Sequence, residues 1–148
     1  MATSSISYNQ LDFGLFETRF LRAVSPLSDV DRPLQLNLLT ASLSDPPRYN
    51  ALSYCWGDIS RTEAIEVDGV HVDVSQNLVE ALRNSGVGPG ELIWADAICI
   101  NQADPYEKTN QIRIMGVIYS KAARTIAWLG KHGVHSKSAF SFLETLRK

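Results

Sequence analysis

The sequence predicts an α/β fold: an open, mainly parallel sheet with flanking helices, an inserted β-hairpin and an N-terminal β segment. Three observations carry this. Residues 92–100, LIWADAICI, form an apolar run broken only by Asp96, the pattern of a strand buried on both faces. Residues 104–123 follow with helix-start signals and helical periodicity, and residues 125–129 form another short apolar run closed by Gly130. Strand, helix and strand joined by such short connections make a βαβ crossover, which dictates parallel strands and a right-handed connection.

The remaining elements follow in order. Residues 1–14 are polar, and Phe16, Phe20, Leu21 and Val24 fit a strand or a short helix. Turn chemistry fills 25–33. Leu34, Leu36 and Leu38 alternate with Gln35 and Asn37, the two-residue period of a strand, until Asp45-Pro46-Pro47 stops it. A second strand covers 49–56, with Ala51, Leu52, Tyr54 and Trp56 apolar and Gly57-Asp58 ending the run. Two short runs flank Asp68-Gly69, a strong hairpin signal, read as an excursion from the main sheet. Ser75 caps a helix to about Asn84 that buries Leu78, Val79 and Leu82, and Gly86 fits its stop. The helix from Asp104 has its cap there, Pro105 at the first position and Glu107 placed to reach back to the cap amide. Its buried side is expected to be Ile112, Met115, Ile118, Tyr119 and Ala122, with Thr109, Arg113, Gly116 and Ser120 facing solvent. Residues 136–147 form a third helix. The arrangement is flavodoxin-like, with the Tyr49 strand between the strands at 92 and 125.

Composition narrows the function classes. At 148 residues with 45% hydrophobic content the chain holds one domain with a sizeable core. A net charge of −2 gives no electrostatic reason to expect nucleic acid. No apolar run approaches the ~20 residues of a membrane span, and the MATSSISYNQ start lacks the basic and apolar regions of a signal peptide. Cys55 and Cys99 are too few for a disulfide framework or metal cluster, so a reducing, cytoplasmic setting and no metal are expected. Both read as core thiols.

Two blocks carry a resemblance. Residues 49–57, YNALSYCWG, and the later set Asp96, Ile98 to Gln102, Asp104, Glu107, Lys108, Gln111, Met115, Ile118, Tyr119 and Trp128 to Gly130 resemble the signatures of the fungal heterokaryon-incompatibility (HET) domain. On that basis residues 34–148 are the HET domain and 1–33 an N-terminal extension. The HET family is in turn similar, distantly, to the TIR domain. That comparison places 49–58 at the first TIR strand, 78–86 at its first helix, 92–96 at its second strand, and the loop from Asn101 to Asn110 at a surface used for self-association and protein partners. The hairpin departs from the TIR pattern. The chain also stops where a TIR sheet would continue, so it is a minimal version or part of a larger protein.

In an open parallel sheet, ligands bind beyond the carboxyl ends of the strands. Three segments converge there and supply Trp56, Asp58, Cys99, Asn101, Gln102, Asp104, His132 and His135, with Glu144 added by the third helix. Each has a structural alternative. Trp56 packs or offers a stacking face. Asp96 needs a partner inside its apolar strand, such as Arg113 or a backbone amide. Asn101 and Gln102 tie down their loop. Asp104 and Glu107 form a capping box, and Glu144 is an exposed helix residue. The two histidines lack ligand spacing. Yet Asp96, Asn101, Gln102, Asp104, Glu107, Lys108 and Gln111 crowd one short stretch, and capping explains only two of them.

Two function classes follow. The TIR resemblance implies an enzyme that cleaves NAD⁺ at the nicotinamide–ribose bond, with NAD as substrate. Such an oxocarbenium-like reaction needs a carboxylate and an aromatic face. Glu144 is then the catalytic carboxylate and Glu107 its backup, with Ser53, Trp56, Asp58, Asp96, Asn101 and Gln102 as binding residues. The HET resemblance implies self/non-self recognition that triggers programmed cell death. Assembly through the loop from Asn101 to Asn110 would suffice for that without chemistry.

Overall fold

The computed structural model describes residues 5–130. A 3₁₀ turn at Phe13–Leu15, capped by Asp12, leads into β1 (Glu17–Ala23), which settles the strand-or-helix alternative for this stretch. The next strand, β2 (Gln35–Ser42), pairs antiparallel along all of β1, from Glu17 opposite Ser42 to Ala23 opposite Leu36. Then come β3 (Asn50–Tyr54), β4 (Thr62–Val67) and β5 (Val70–Ser75). Between the last two, Asp68 (φ 52°) and Gly69 (φ 78°) both take left-handed backbone, as a two-residue type I′ hairpin turn requires. Helix α1 (Gln76–Arg83) starts where the Ser75 hydroxyl accepts the Leu78 amide at 3.2 Å, and it buries Leu78, Val79, Ala81 and Leu82. The second half comprises β6 (Leu92–Trp94), α2 (Asp96–Cys99), α3 (Pro105–Arg113), α4 (Met115–Lys121) and β7 (Arg124–Trp128).

All seven strands of the described residues join one mixed sheet in the order β5-β4-β2-β1-β6-β3-β7. The fold is α/β, and its β6-β3-β7 half is parallel as the crossover requires, with β3 between the other two as in the flavodoxin-like arrangement. Two placements differ from the sequence reading. Residues 17–23, assigned to an N-terminal extension, form the middle strand and pair antiparallel with both β2 and β6. The hairpin is no excursion either. Gln35 and Leu36 of β2 pair in parallel with Glu66 and Val67 of β4, so β4 and β5 complete the sheet edge.

The expected strand over 92–100 stops after Trp94. Instead, the Cys99 amide donates to the Ala95 carbonyl at 2.8 Å and Ile98 to the same oxygen at 3.1 Å, making a single helical turn. Ile98, Cys99 and Ile100 remain buried in it; a short apolar run fits a buried helical turn as well as a strand. The expected continuous helix over 104–123 breaks at Ile114 (φ −98°, ψ 9°) into α3 and α4. Its buried face also differs. Ile118 is buried as expected, but Ile112 is 52% exposed while Gln111 is fully enclosed.

The reason lies on β1. Glu107 and Gln111, one helical turn apart, face the sheet together. There the Thr18 hydroxyl donates to Gln111 Oε1 at 2.6 Å, and Gln111 Nε2 donates to the Glu17 carbonyl at 3.1 Å. The Arg19 guanidinium clamps both oxygens of Glu107, at 2.8 and 2.7 Å. Above this network α4 is fixed to β3, where the Tyr119 hydroxyl donates to the Leu52 carbonyl at 3.0 Å. The Tyr119 ring meets Trp94 edge-on, with centroids 5.6 Å apart.

Candidate functional site at the carboxyl edge of the parallel strands

The strands β6, β3 and β7 run in one direction, so their carboxyl ends lie along one edge of the sheet. Past β6, Asp96 opens α2; past β3 comes Trp56; β7 ends at Trp128. The Trp56 ring is 42% exposed, and its Nε1 lies 3.4 Å from each Asp96 carboxylate oxygen. That is a long, weak pair of contacts. Burial raises the Asp96 pKa, and donors oppose the shift: Trp56 Nε1–H, the Ala97 amide and the Tyr54 hydroxyl. No cation among the described residues forms an ion pair with Asp96, so the expected Arg113 partnership is not made.

Tyrosines surround this carboxylate. Burial first, and the Asp96 charge second, push the Tyr54 and Tyr119 hydroxyls far above the ordinary phenol range. Both are therefore neutral hydroxyls at any physiological pH. Ser53 lies within hydrogen-bonding influence of Tyr119. Two buried side-chain polar atoms among the described residues have no hydrogen-bond partner, Tyr54 Oη and Trp128 Nε1. They belong to residues directly opposite one another on β3 and β7.

The other sequence candidates fall into structural roles. Asp58 is fully exposed and turned toward its own loop, accepting the Ser60 hydroxyl at 2.6 Å and amide at 3.0 Å; these contacts hold its carboxyl below the usual range. Asn101 Oδ1 accepts the Ala103 amide at 3.1 Å, and Gln102 Nε2 donates to the Asp96 carbonyl at 3.0 Å, so both tie down the loop. Asp104 caps α3 through the Tyr106 and Glu107 amides.

Glu107 does not reach back to the Asp104 amide, which donates to the Asn101 carbonyl instead. Its carboxylate is held by Arg19 and by the Asn101 amide, with only 3% of the side chain exposed. That geometry leaves no oxygen free for a substrate. Cys55, expected in the core, is exposed; Cys99 is buried, and burial pushes its thiol up to about 12. Glu144, His132, His135 and the helix expected over 136–147 lie outside the described residues.

The crowding of seven polar residues into 96–111 thus has a physical account. Five of them cap α3, tie the loop or pair with β1, and Lys108 faces solvent. Asp96 is left as the half-buried carboxylate without a cation. Sequence reasoning missed Arg19, Tyr54, Tyr119 and Trp128. The signal available for Tyr54 and Trp128 was their place at the ends of neighbouring parallel strands.

Residues 49–148 match the family model for Heterokaryon incompatibility protein (HET), and the chain belongs to that family. Among curated proteins it is similar to Heterokaryon incompatibility protein 6, OR allele, of Neurospora crassa, 39% identical over 120 residues that cover 71% of this chain. The match spans 18% of that relative's length, so this chain corresponds to a fraction of it. No solved structure matches the chain. Among the described residues no helix is long and apolar enough to cross a membrane, and no cluster of His, Cys, Asp and Glu is placed to hold a metal.

Proposed function

We propose that this chain is the signalling domain of a fungal incompatibility protein, and that it triggers cell death by cleaving NAD⁺ at the nicotinamide–ribose bond. The observation that carries the enzymatic reading is Asp96. It is a half-buried carboxylate without a cation among the described residues, beside an exposed indole at the carboxyl edge of parallel strands. This is where open α/β sheets bind ligands, and perturbed carboxylates collect at functional sites. An oxocarbenium-like transition state calls for a carboxylate near the sugar and an aromatic face near the leaving group. Asp96 and Trp56 offer that pair, and Glu144 is the further carboxylate that the TIR resemblance implies.

The test is nicotinamide release from NAD⁺ by the purified protein at high concentration, with Asp96→Asn, Glu144→Ala and Trp56→Ala in parallel. Release abolished in Asp96→Asn or Glu144→Ala, with the fold intact and the melting temperature no lower than wild type, is the expected result. No release under conditions that favour assembly would overturn it.

A second reading, death signalling by assembly alone, has its own observation. Tyr106, Ile112 and Val117 on α3 and α4 are 85%, 52% and 43% exposed, and exposed apolar side chains along one segment suit a protein contact. Absence of turnover together with concentration-dependent self-association would favour it.

A further inference from the structure

We infer that residues 5–11 form a strap that holds α2 in place, and with it Asp96, through the Tyr8 hydroxyl and the Arg19 guanidinium. Its consequence for function rests on the reading of Asp96 given above. The segment lies ahead of the family match over 49–148.

The need for a strap comes from α2. It is a single turn, Asp96–Cys99, and Ala95 gives it no side-chain cap. One turn of helix is not stable by itself, and its last carbonyls find no partner within it. Those carbonyls are met from far away in the chain. The Tyr8 hydroxyl donates to the Ile98 carbonyl at 2.6 Å, and Arg19 Nη1 donates to the Cys99 carbonyl at 3.1 Å. Burial raises the Tyr8 pKa to about 12, so it is a neutral donor at physiological pH.

The two residues are also locked to each other. The guanidinium carbon of Arg19 lies 4.6 Å from the Tyr8 ring centroid, a cation over an aromatic face, and Arg19 Nη2 donates to the Asn9 carbonyl at 2.5 Å. Ile6 and Tyr8 are half-buried and Leu11 is buried, while Ser5, Ser7, Asn9 and Gln10 are exposed. The segment belongs to no helix or strand. Inward-facing side chains therefore anchor a stretch that has no ladder of backbone bonds behind it, and such a stretch opens at lower cost than a strand of the sheet. Opening takes the donor from Ile98 and the aromatic face from Arg19, frees α2, and carries Asp96 away from Trp56. The strap thus couples a segment outside the family match to the position of the carboxylate.

Tyr8 is a positioning residue in this account. Titration of the Asp96 carboxyl by NMR in the full chain tests it, with wild type, Tyr8→Phe and Tyr8→Ala. The donors on Asp96 are Trp56, the Ala97 amide and Tyr54, and Tyr119 and Cys99 feel its charge. Neither substitution touches any of them, so a changed midpoint reports a moved α2. Burial holds the Asp96 pKa above its ordinary 3.8. Loosening α2 should therefore shift the midpoint down toward that value in Tyr8→Phe, which loses only the hydroxyl, and further down in Tyr8→Ala, which also loses the ring over Arg19. An unchanged or raised midpoint in Tyr8→Phe overturns the inference, whatever the melting temperature does, and decides the matter if Tyr8→Ala does not fold. A lowered midpoint in a protein that releases no nicotinamide from NAD⁺ refutes the hydrolase reading alone. Release by wild type, with the midpoint unmoved in Tyr8→Phe, refutes the strap alone.

Discussion

Replacing Glu107 by alanine should cost this fold a large share of its stability. In the native chain the Arg19 guanidinium donates to both Glu107 oxygens, at 2.7 and 2.8 Å, and the two side chains are 2% and 3% exposed. Glu107→Ala leaves that guanidinium inside the protein without a counter-charge, held by the carbonyls of Cys99 and Asn9 and by the face of the Tyr8 ring, and leaves the Asn101 amide without its acceptor. Removing one member of a buried pair costs about 3–5 kcal/mol, because the other charge stays desolvated. Against a total stability of about 5–15 kcal/mol, this is severe. At roughly 3–4 °C per kcal/mol for a domain of this size, the melting temperature should fall by roughly 10–20 °C.

The double variant Arg19→Met/Glu107→Leu removes both charges and keeps apolar volume, so it should recover most of that loss and lie within about 2 kcal/mol of wild type. Urea denaturation followed by circular dichroism measures all the variants. A loss below about 1 kcal/mol in Glu107→Ala, or a double variant as unstable as the sum of the singles, would refute the reasoning.

Two further predictions concern the exposed edge and the helical face. Asp96 has a folded pKa raised above its ordinary 3.8 by burial, so the native state binds its proton more tightly than the unfolded chain does. The stability this group contributes is therefore present at low pH and declines as pH rises through the folded pKa. Asp96→Asn should melt above wild type at neutral pH, and the difference should close below about pH 4; thermal melts from pH 3.5 to 8 read it, and a gap that widens at low pH contradicts the sign. Ile112→Glu, at a position 52% exposed, should change stability by no more than about 0.5 kcal/mol. If it unfolds the protein, the helical face has been misassigned; if it disperses self-association with the fold intact, α3 is the contact surface.

Much of this protein was legible in the chain because its signals act within a few residues. The Asp68-Gly69 turn, the Ser75 cap and the Asp104-Pro105 helix start are backbone hydrogen-bonding problems solved locally, and the structure solves them as the residues dictate. The parallel direction of β6, β3 and β7 also followed from the helical crossover, and their order agrees with the flavodoxin-like arrangement. Membership of the HET family was likewise carried by two ordered blocks of residues. Only the tertiary structure decided which polar groups are buried and which apolar ones are not. Glu107 reads locally as half of a capping box, but its partner Arg19 lies 88 residues away on a strand whose own pattern was ambiguous. Once β1 takes the middle of the sheet, Glu107 and Gln111 must turn inward to meet Arg19 and Thr18, and Ile112 is carried outward. The same assembly separates Asp96 from Arg113 and brings it instead to Trp56, Tyr54 and Tyr119. A buried charge takes as its partner whichever element the sheet order delivers beside it, and that order is set by pairings across the whole chain.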